Sequence, residues 1–152
     1  MWCLRRRGGP GRIGTVLGMM TTAETGVAFL DLVSAHDLDG LCALVTDDWT
    51  MHGGPPGLPP GRAGVHELFR HIGPVRQTWT VEDVVAAGDR VVVRGTNACE
   101  QESFFGVPGR GIRQTFAAIF IHRVVDSRVA ETWRCADDLG RLLQLGARIG
   151  AA

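Results

Sequence analysis

The spacing of hydrophobic residues changes once along the chain. In the first half, apolar positions recur every three or four residues, which is the period of an amphipathic helix. This pattern predicts a helix over residues 21–36, a short second helix near residues 41–45 and a third over residues 61–73. Between the last two, "DDWTMHG" indicates a short strand, and the Pro- and Gly-rich residues 53–62 exclude regular structure.

After Pro74, apolar and polar residues alternate, as in strands with one buried face. "QTWTVEDVVAAGDRVVVRGTN" predicts a hairpin that turns at Gly88 and Asp89. A loop and a long strand follow in "SFFGVPGRGIRQTFAAIFIHRVV", and "RVAETWRCAD" precedes a closing helix over residues 139–145. Helices followed by strands predict an α+β fold, in which a strongly curved antiparallel sheet wraps around the N-terminal helices and encloses a pocket.

Composition and charge narrow the classes of function. Sixteen basic residues balance sixteen acidic ones, so no basic surface is expected to bind nucleic acid. No apolar run is long enough to span a membrane, and the absence of Lys excludes a lysine Schiff base. Four cysteines without a CxxC pair or zinc-like spacing predict reduced thiols, a cytoplasmic location and no metal site.

Residues 1–20 differ in composition from the rest of the chain. They are rich in Gly and Arg and have neither the helical nor the strand period. We expect a disordered leader, or a start assigned too early, followed by one domain over residues 21–152.

The adjacent acids Asp137 and Asp138 are the first candidates for chemistry. Alternation along the last strand predicts that Trp133 and Asp137 share one face. Asp138 directly precedes the closing helix and could be its N-cap. Asp137 would then point into the pocket beside an aromatic wall, where a carboxylate could take a proton from carbon and return it to oxygen. Alternatively, both aspartates cap the helix or pair with Arg134 and Arg141.

Other polar residues are weaker candidates for the same pocket. His52 opens the Pro-rich loop and could hold a substrate oxygen or transfer a proton, or else be a partly buried residue bonded to backbone. Asn97 lies on the face of Val91 and Val93 and could donate to an enolate oxygen. His122 lies on an apolar face, where a lone His is usually a core residue. The further substrate-binding candidates are Trp49, Phe104, Glu131 and Trp133, although the aromatic residues are also typical of a core.

Four segments, taken in order, resemble a known family. They are "GLPPGRAGVHELF", "TVEDVVAAGDRVVVRGT", "FFGVPGRG" and "ETW…DDLGRLLQLG". These segments resemble the SnoaL-like polyketide cyclases, also called ester cyclases, of the nuclear transport factor 2-like superfamily. The resemblance covers residues 21–146 and implies a cone, in which a curved antiparallel sheet surrounds a deep apolar pocket. It also implies that Asp137, four residues after Trp133, acts in an intramolecular aldol closure and that His52 lies in the site.

The resemblance leads to a first hypothesis about function. A cofactor-independent cyclase of natural-product biosynthesis would close a ring on a polyketide-derived ester or ketone, with Asp137 as acid and base. Its partner would be a small apolar, oxygen-bearing substrate. Isomerisation, dehydration and epoxide opening are other cofactor-free reactions of such a pocket. The Asp–Arg–Asp arrangement of the superfamily's epoxide hydrolases could use Arg94 with Asp137, but its third member is unidentified.

The second hypothesis is a non-catalytic protein that binds a small apolar ligand. It is motivated by a departure from the family, which often has "GTHxGEF" where this chain reads "GTNACEQESFF". The resemblance also implies a homodimer formed through the outer sheet face, where Arg128, Thr132 and Arg134 could lie.

Overall fold

The computed structural model describes residues 20–148 and residue 150, so the predicted leader lies almost wholly outside the described residues. Its helices are α1 (Thr22–Ser34), α2 (Leu38–Leu44), α3 (Gly61–Ile72) and α4 (Asp138–Gln144). Its strands are β1 (Val45–His52), β2 (Val75–Ala87), β3 (Arg90–Gln101), β4 (Ser103–Phe104), β5 (Val107–Pro108), β6 (Gln114–Val125) and β7 (Arg128–Ala136). The predicted order of elements is confirmed, and the short β4–β5 pair lies in the segment predicted as a loop.

Local chemistry sets the ends of the helices. The Thr21 side chain accepts from the Glu24 backbone N–H, while the Glu24 carboxylate accepts from the Thr21 backbone N–H, so α1 begins with a complete capping box. Asp37 is the N-cap of α2. This helix therefore begins before residue 41, where the sequence pattern predicted its start. α3 ends at Gly73, whose φ of 63° is a conformation that glycine adopts without strain.

A five-stranded sheet has the strand order β1-β7-β6-β3-β2. It is antiparallel except at one edge, where β1 pairs parallel with β7. The register of β2 against β3 shifts between Val81 and Asp83, and that of β6 against β7 shifts between Arg123 and Val124. Such irregularities bend strands, so the sheet curves around the helices and the predicted α+β fold is confirmed.

The core lies between α1 and the concave face of the sheet. α1 approaches β3 so closely that a Cβ on Gly26 would lie 2.6 Å from Cγ1 of Val91. Phe29 of α1 packs on the His122 ring, with ring centroids 4.7 Å apart, and on Trp49 at 6.2 Å. The close approach of α1 therefore covers one part of the concave face with apolar side chains.

Two further findings concern the described residues alone. Within them, no helix is both long and apolar enough to cross a membrane. Cys42 and Cys99 are buried free thiols, and Cys135 is an exposed free thiol. The fourth cysteine, Cys3, lies outside the described residues.

Candidate active site

The rest of the concave face lines a cavity of about 380 Å³. Its walls are mostly apolar, and two loops complete them, the Pro-rich loop at residues 53–56 and the segment at residues 103–105. The aromatic side chains in the wall are Trp79, Phe104, Phe105, Phe116 and Phe120. A more open groove of about 470 Å³ near Pro74 lacks such enclosing walls. The cavity of about 380 Å³ has the size and lining typical of a small-molecule site.

The two adjacent acids have the opposite roles to those predicted. Asp137 is the N-cap of α4, where its Oδ1 accepts from the Gly140 backbone N–H at 2.8 Å, and it is exposed. Asp138 is the first residue of α4 and lies in the cavity wall. The prediction that Asp137 points inward and Asp138 caps the helix is therefore wrong.

The reason for the error is the assignment of the faces of β7. Alternation does hold, but the inward face carries Thr132 and Arg134, whereas Glu131 and Trp133 face outward. The indole of Trp133 is partly covered even outside the core, because the His52 ring stacks on it with ring centroids 5.2 Å apart. The same inversion overturns the expected dimer surface, since Thr132 is fully buried and Arg134 lines the cavity.

His52, Glu131 and Trp133 form a cluster on the outer face, away from the cavity. His52 Nε2 lies 2.9 Å from Oε1 of Glu131, and Arg123 Nε donates to the other oxygen of that carboxylate at 3.3 Å. The hydrogen bond from His52 and, after it, that from Arg123 lower the pKa of Glu131. The structure thus brings these three predicted site residues together, but not where a ligand in the cavity would meet them.

An ion pair occupies the cavity wall where β7 meets α4. Arg134 donates from Nη1 to Oδ2 of Asp138 at 2.8 Å and from Nη2 to Oδ1 at 2.7 Å. Arg134 also donates to the carbonyl of Gly53 at 3.2 Å, which ties the pair to the Pro-rich loop. Among the described residues of the wall, Asp138 supplies the one carboxylate and His71 of α3 the one imidazole.

The side-chain amides of Gln77 and Asn97 form a hydrogen bond that determines which atom of Asn97 is left without a partner. Gln77 donates to the Val33 carbonyl at 3.1 Å, so its own oxygen accepts from Nδ2 of Asn97 at 2.9 Å. Oδ1 of Asn97 is left buried with no partner among the described residues, as is the indole N–H of Trp79. Asn97 lines the cavity as predicted, but its amide donor is used by Gln77, and the predicted hydrogen bond from Asn97 to an enolate is not available.

Trp49 and His122, two predicted site residues, lie in the core beside the cavity. Both are fully buried, and both contact the Thr132 hydroxyl, which accepts from the Trp49 indole N–H at 3.0 Å and lies 3.0 Å from Nδ1 of His122. Burial lowers the pKa of His122 to about 3, so its ring is neutral near pH 7. Phe104, in contrast, lines the cavity as predicted.

Arg141 of α4 is a wall residue that sequence reasoning did not select. It is 7% exposed, and its guanidinium carbon lies 3.7 Å from the centroid of the Phe104 ring. A signal for the missed residues was present in the sequence. Counting inward positions from Thr132 instead of Trp133 places Arg134 and Asp138 on one face, and Arg141 follows at helical spacing.

Comparison with known proteins places this fold and cavity in a family. The profile of the SnoaL-like domain matches residues 27–132. The chain therefore belongs to the SnoaL-like domain family, within the nuclear transport factor 2-like superfamily. No protein of curated function matches the chain.

Three solved structures illustrate the likeness. IdmH of Streptomyces antibioticus, a proposed polyketide cyclase, is 28% identical with a TM-score of 0.67, over 84% of this chain and 100% of that one. TsrD of Streptomyces laurentii is 27% identical with a TM-score of 0.71, over 82% and 93%. An LEH-like epoxide hydrolase of M. tuberculosis, 22% identical with a TM-score of 0.64 over 82% and 88%, shares the fold.

No three His, Cys, Asp or Glu side chains cluster as a metal site in the described part of the chain.

Proposed function

We propose that this protein is a cofactor-independent cyclase, with Asp138 rather than Asp137 as its acid and base. The substrate would be a polyketide-derived ester or ketone bound in the apolar cavity. The observation that carries the proposal is that one carboxylate, held by two hydrogen bonds from Arg134, lies in a largely apolar wall. The likeness to IdmH, itself a proposed polyketide cyclase, supports the same reading.

The reaction would be an aldol-type closure in which protons and charge balance. Asp138 takes a proton from a carbon next to a carbonyl group, and the resulting enolate carbon attacks a second carbonyl of the same molecule. The carboxyl group of Asp138 then returns its proton to the new alkoxide.

Arg134 would act as a positioning residue. Its two parallel hydrogen bonds fix the plane of the Asp138 carboxylate, and each carboxylate oxygen keeps a lone pair for a proton. The apolar side chains around a bound substrate would limit the contact of the enolate with water, which would otherwise protonate it before the ring closes.

The adjacent acids provide the test. Asp138→Asn should reduce turnover at least about a hundredfold, the usual effect of one positioned acid or base. Asp137→Asn is the matched control, because Asn is as good an N-cap as Asp and turnover should not change. The assay follows a library of linear polyketide esters and ketones by chromatography and mass spectrometry. Unchanged turnover in Asp138→Asn, or a loss confined to Asp137→Asn, would contradict the assignment.

A ligand-binding protein without catalysis is the second candidate. One observation favours it, namely that both oxygens of Asp138 are already engaged by Arg134, as in a purely structural ion pair. This candidate predicts that the bound ligand is recovered unchanged and that Asp138→Asn alters affinity alone.

Other cofactor-free chemistries, such as isomerisation or dehydration, would use the same carboxylate. The Asp–Arg–Asp arrangement suggested for epoxide opening is not formed by Arg94, which pairs with Asp83 and Glu82 away from the cavity. The homodimer and the cytoplasmic location stay predictions.

A further inference from the structure

The wall of the cavity contains a buried positive charge, Arg141, whose one nearby carboxylate, Asp138, is already paired with Arg134. Arg141 is 7% exposed, and its hydrogen bonds go to neutral groups. Nε donates to Oε1 of Gln114 at 3.2 Å, and Nη2 donates to the Cys99 sulfur at 3.4 Å and to Oε1 of Gln101. Within the described residues, no carboxylate lies within ion-pair distance of this guanidinium.

Such an arrangement is unfavourable for the protein alone. Burial lowers the pKa of Arg141, but a guanidinium remains protonated, so the charge itself stays in the wall. The guanidinium carbon lies 3.7 Å from the centroid of the Phe104 ring and 4.5 Å from that of the Phe116 ring. These cation–π contacts compensate for part of the hydration energy that the guanidinium loses on burial. A negatively charged ligand group would supply the rest.

The second arginine of the cavity differs in this respect. Arg134 is matched by Asp138, whose two oxygens it already holds. The pair therefore contributes no net charge, and Arg141 leaves the described wall positive. Nη1 of Arg141 has no hydrogen bond to a described group, and it is not completely buried. A ligand oxygen can therefore reach this nitrogen.

We propose that the ligand of this cavity carries a carboxylate, which pairs with Arg141. The inference rests on the proposed function in taking this cavity as the substrate site. It narrows the substrate class to polyketide-derived esters or ketones that also carry a free carboxylate, because a wholly neutral molecule would leave the guanidinium unbalanced. The aromatic rings beside Arg141 would hold the flat, apolar part of the same molecule.

The experiment compares two flat probes that differ in charge, 2-naphthoate and methyl 2-naphthoate. Isothermal titration calorimetry of the full chain at pH 7 should give at least about tenfold tighter binding of the acid, as expected for a charge-assisted hydrogen bond. Arg141→Gln keeps a donor but removes the charge, and the preference should disappear. Arg62→Gln is the matched control, because Arg62 is exposed and does not line the cavity.

Each possible result either supports or contradicts the pairing of a ligand carboxylate with Arg141. Equal affinity of the wild type for the two probes, no binding of naphthoate at all, or a preference that survives Arg141→Gln would overturn the inference. If Arg141→Gln does not fold by circular dichroism, the wild-type comparison and Arg141→Lys, which keeps the charge and should keep a preference for the acid, still decide it. The binding assay needs no turnover, so loss of the acid preference and failure of the Asp138→Asn test are separate results.

Discussion

His122 is a neutral histidine sealed in the core, and acidification should therefore destabilise the folded state. In the folded protein burial lowers the pKa of its ring from 6.5 to about 3, and the ring contacts Phe29, Phe120 and the Thr132 hydroxyl but no charged group. The unfolded chain binds a proton at this position near pH 6.5, whereas the folded chain does not bind it until about pH 3. The stability linked to His122 is thus fully present above pH 6.5 and is lost as the pH falls from 6.5 towards 3.

The size of the effect follows from the difference between the two pKa values. Each pH unit below 6.5 lowers the free energy of unfolding by about 1.4 kcal/mol. The total decrease between pH 7 and pH 5 should therefore be about 2 kcal/mol. Carboxyl groups whose pKa is lowered in the folded state, such as that of Glu131, act below their unfolded value of 4.5 and stay outside this window. The expected change is a large fraction of the stability of an ordinary domain.

The perturbation is His122→Phe, which removes the titration and keeps an aromatic ring between Phe29 and Phe120. Urea unfolding would be followed by tryptophan fluorescence at pH 7, 6 and 5 for the wild type and the variant. The wild type should lose about 2 kcal/mol more than the variant between pH 7 and pH 5. The exposed histidines are common to both proteins and cancel in the difference. Parallel stability curves would refute the reasoning, because they would mean that His122 is protonated without penalty in the folded state.

The remaining predictions concern a cap and a close packing contact. Asp137→Ala removes the N-cap of α4 and should lower the free energy of unfolding by about 1 kcal/mol in a urea titration while turnover stays unchanged. A loss of turnover without a loss of stability would restore Asp137 as the catalytic candidate. Gly26→Ala places a methyl group 2.6 Å from Val91 and should destabilise by about 1–2 kcal/mol in the same titration, although Ala favours helix more than Gly. An increase in stability would show that α1 does not approach the sheet so closely.

The local elements followed from the sequence because local interactions determine them. The capping box at Thr21 and Glu24, the stop at Gly73 and the alternation after Pro74 each act over a few neighbouring residues. The cavity residue Asn97 was predicted for the same reason, since alternation along β3 places it on the strand face of Val91 and Val93. The order of elements and the α+β class could be derived from such signals.

The placement of the adjacent acids could not be derived in this way. A strand of alternating residues has two faces, and nothing within β7 states which one the helices cover. Trp133 suggested one face by its size. However, the ring of His52, which is 79 positions from Glu131 in the sequence, stacks on that indole on the outer face. The choice between the two faces is made by contacts distant in sequence.

The sequence by itself thus determined the type and order of the main helices and strands, and it limited the chemistry to a few carboxylates, histidines and amides. Only the tertiary structure decided which of those groups meet. It paired Arg134 with Asp138, left Arg141 without a counter-charge and sealed His122 in the core. The physical reason is that charge compensation and burial depend on the whole set of neighbours around a side chain, and those neighbours come from distant parts of the chain.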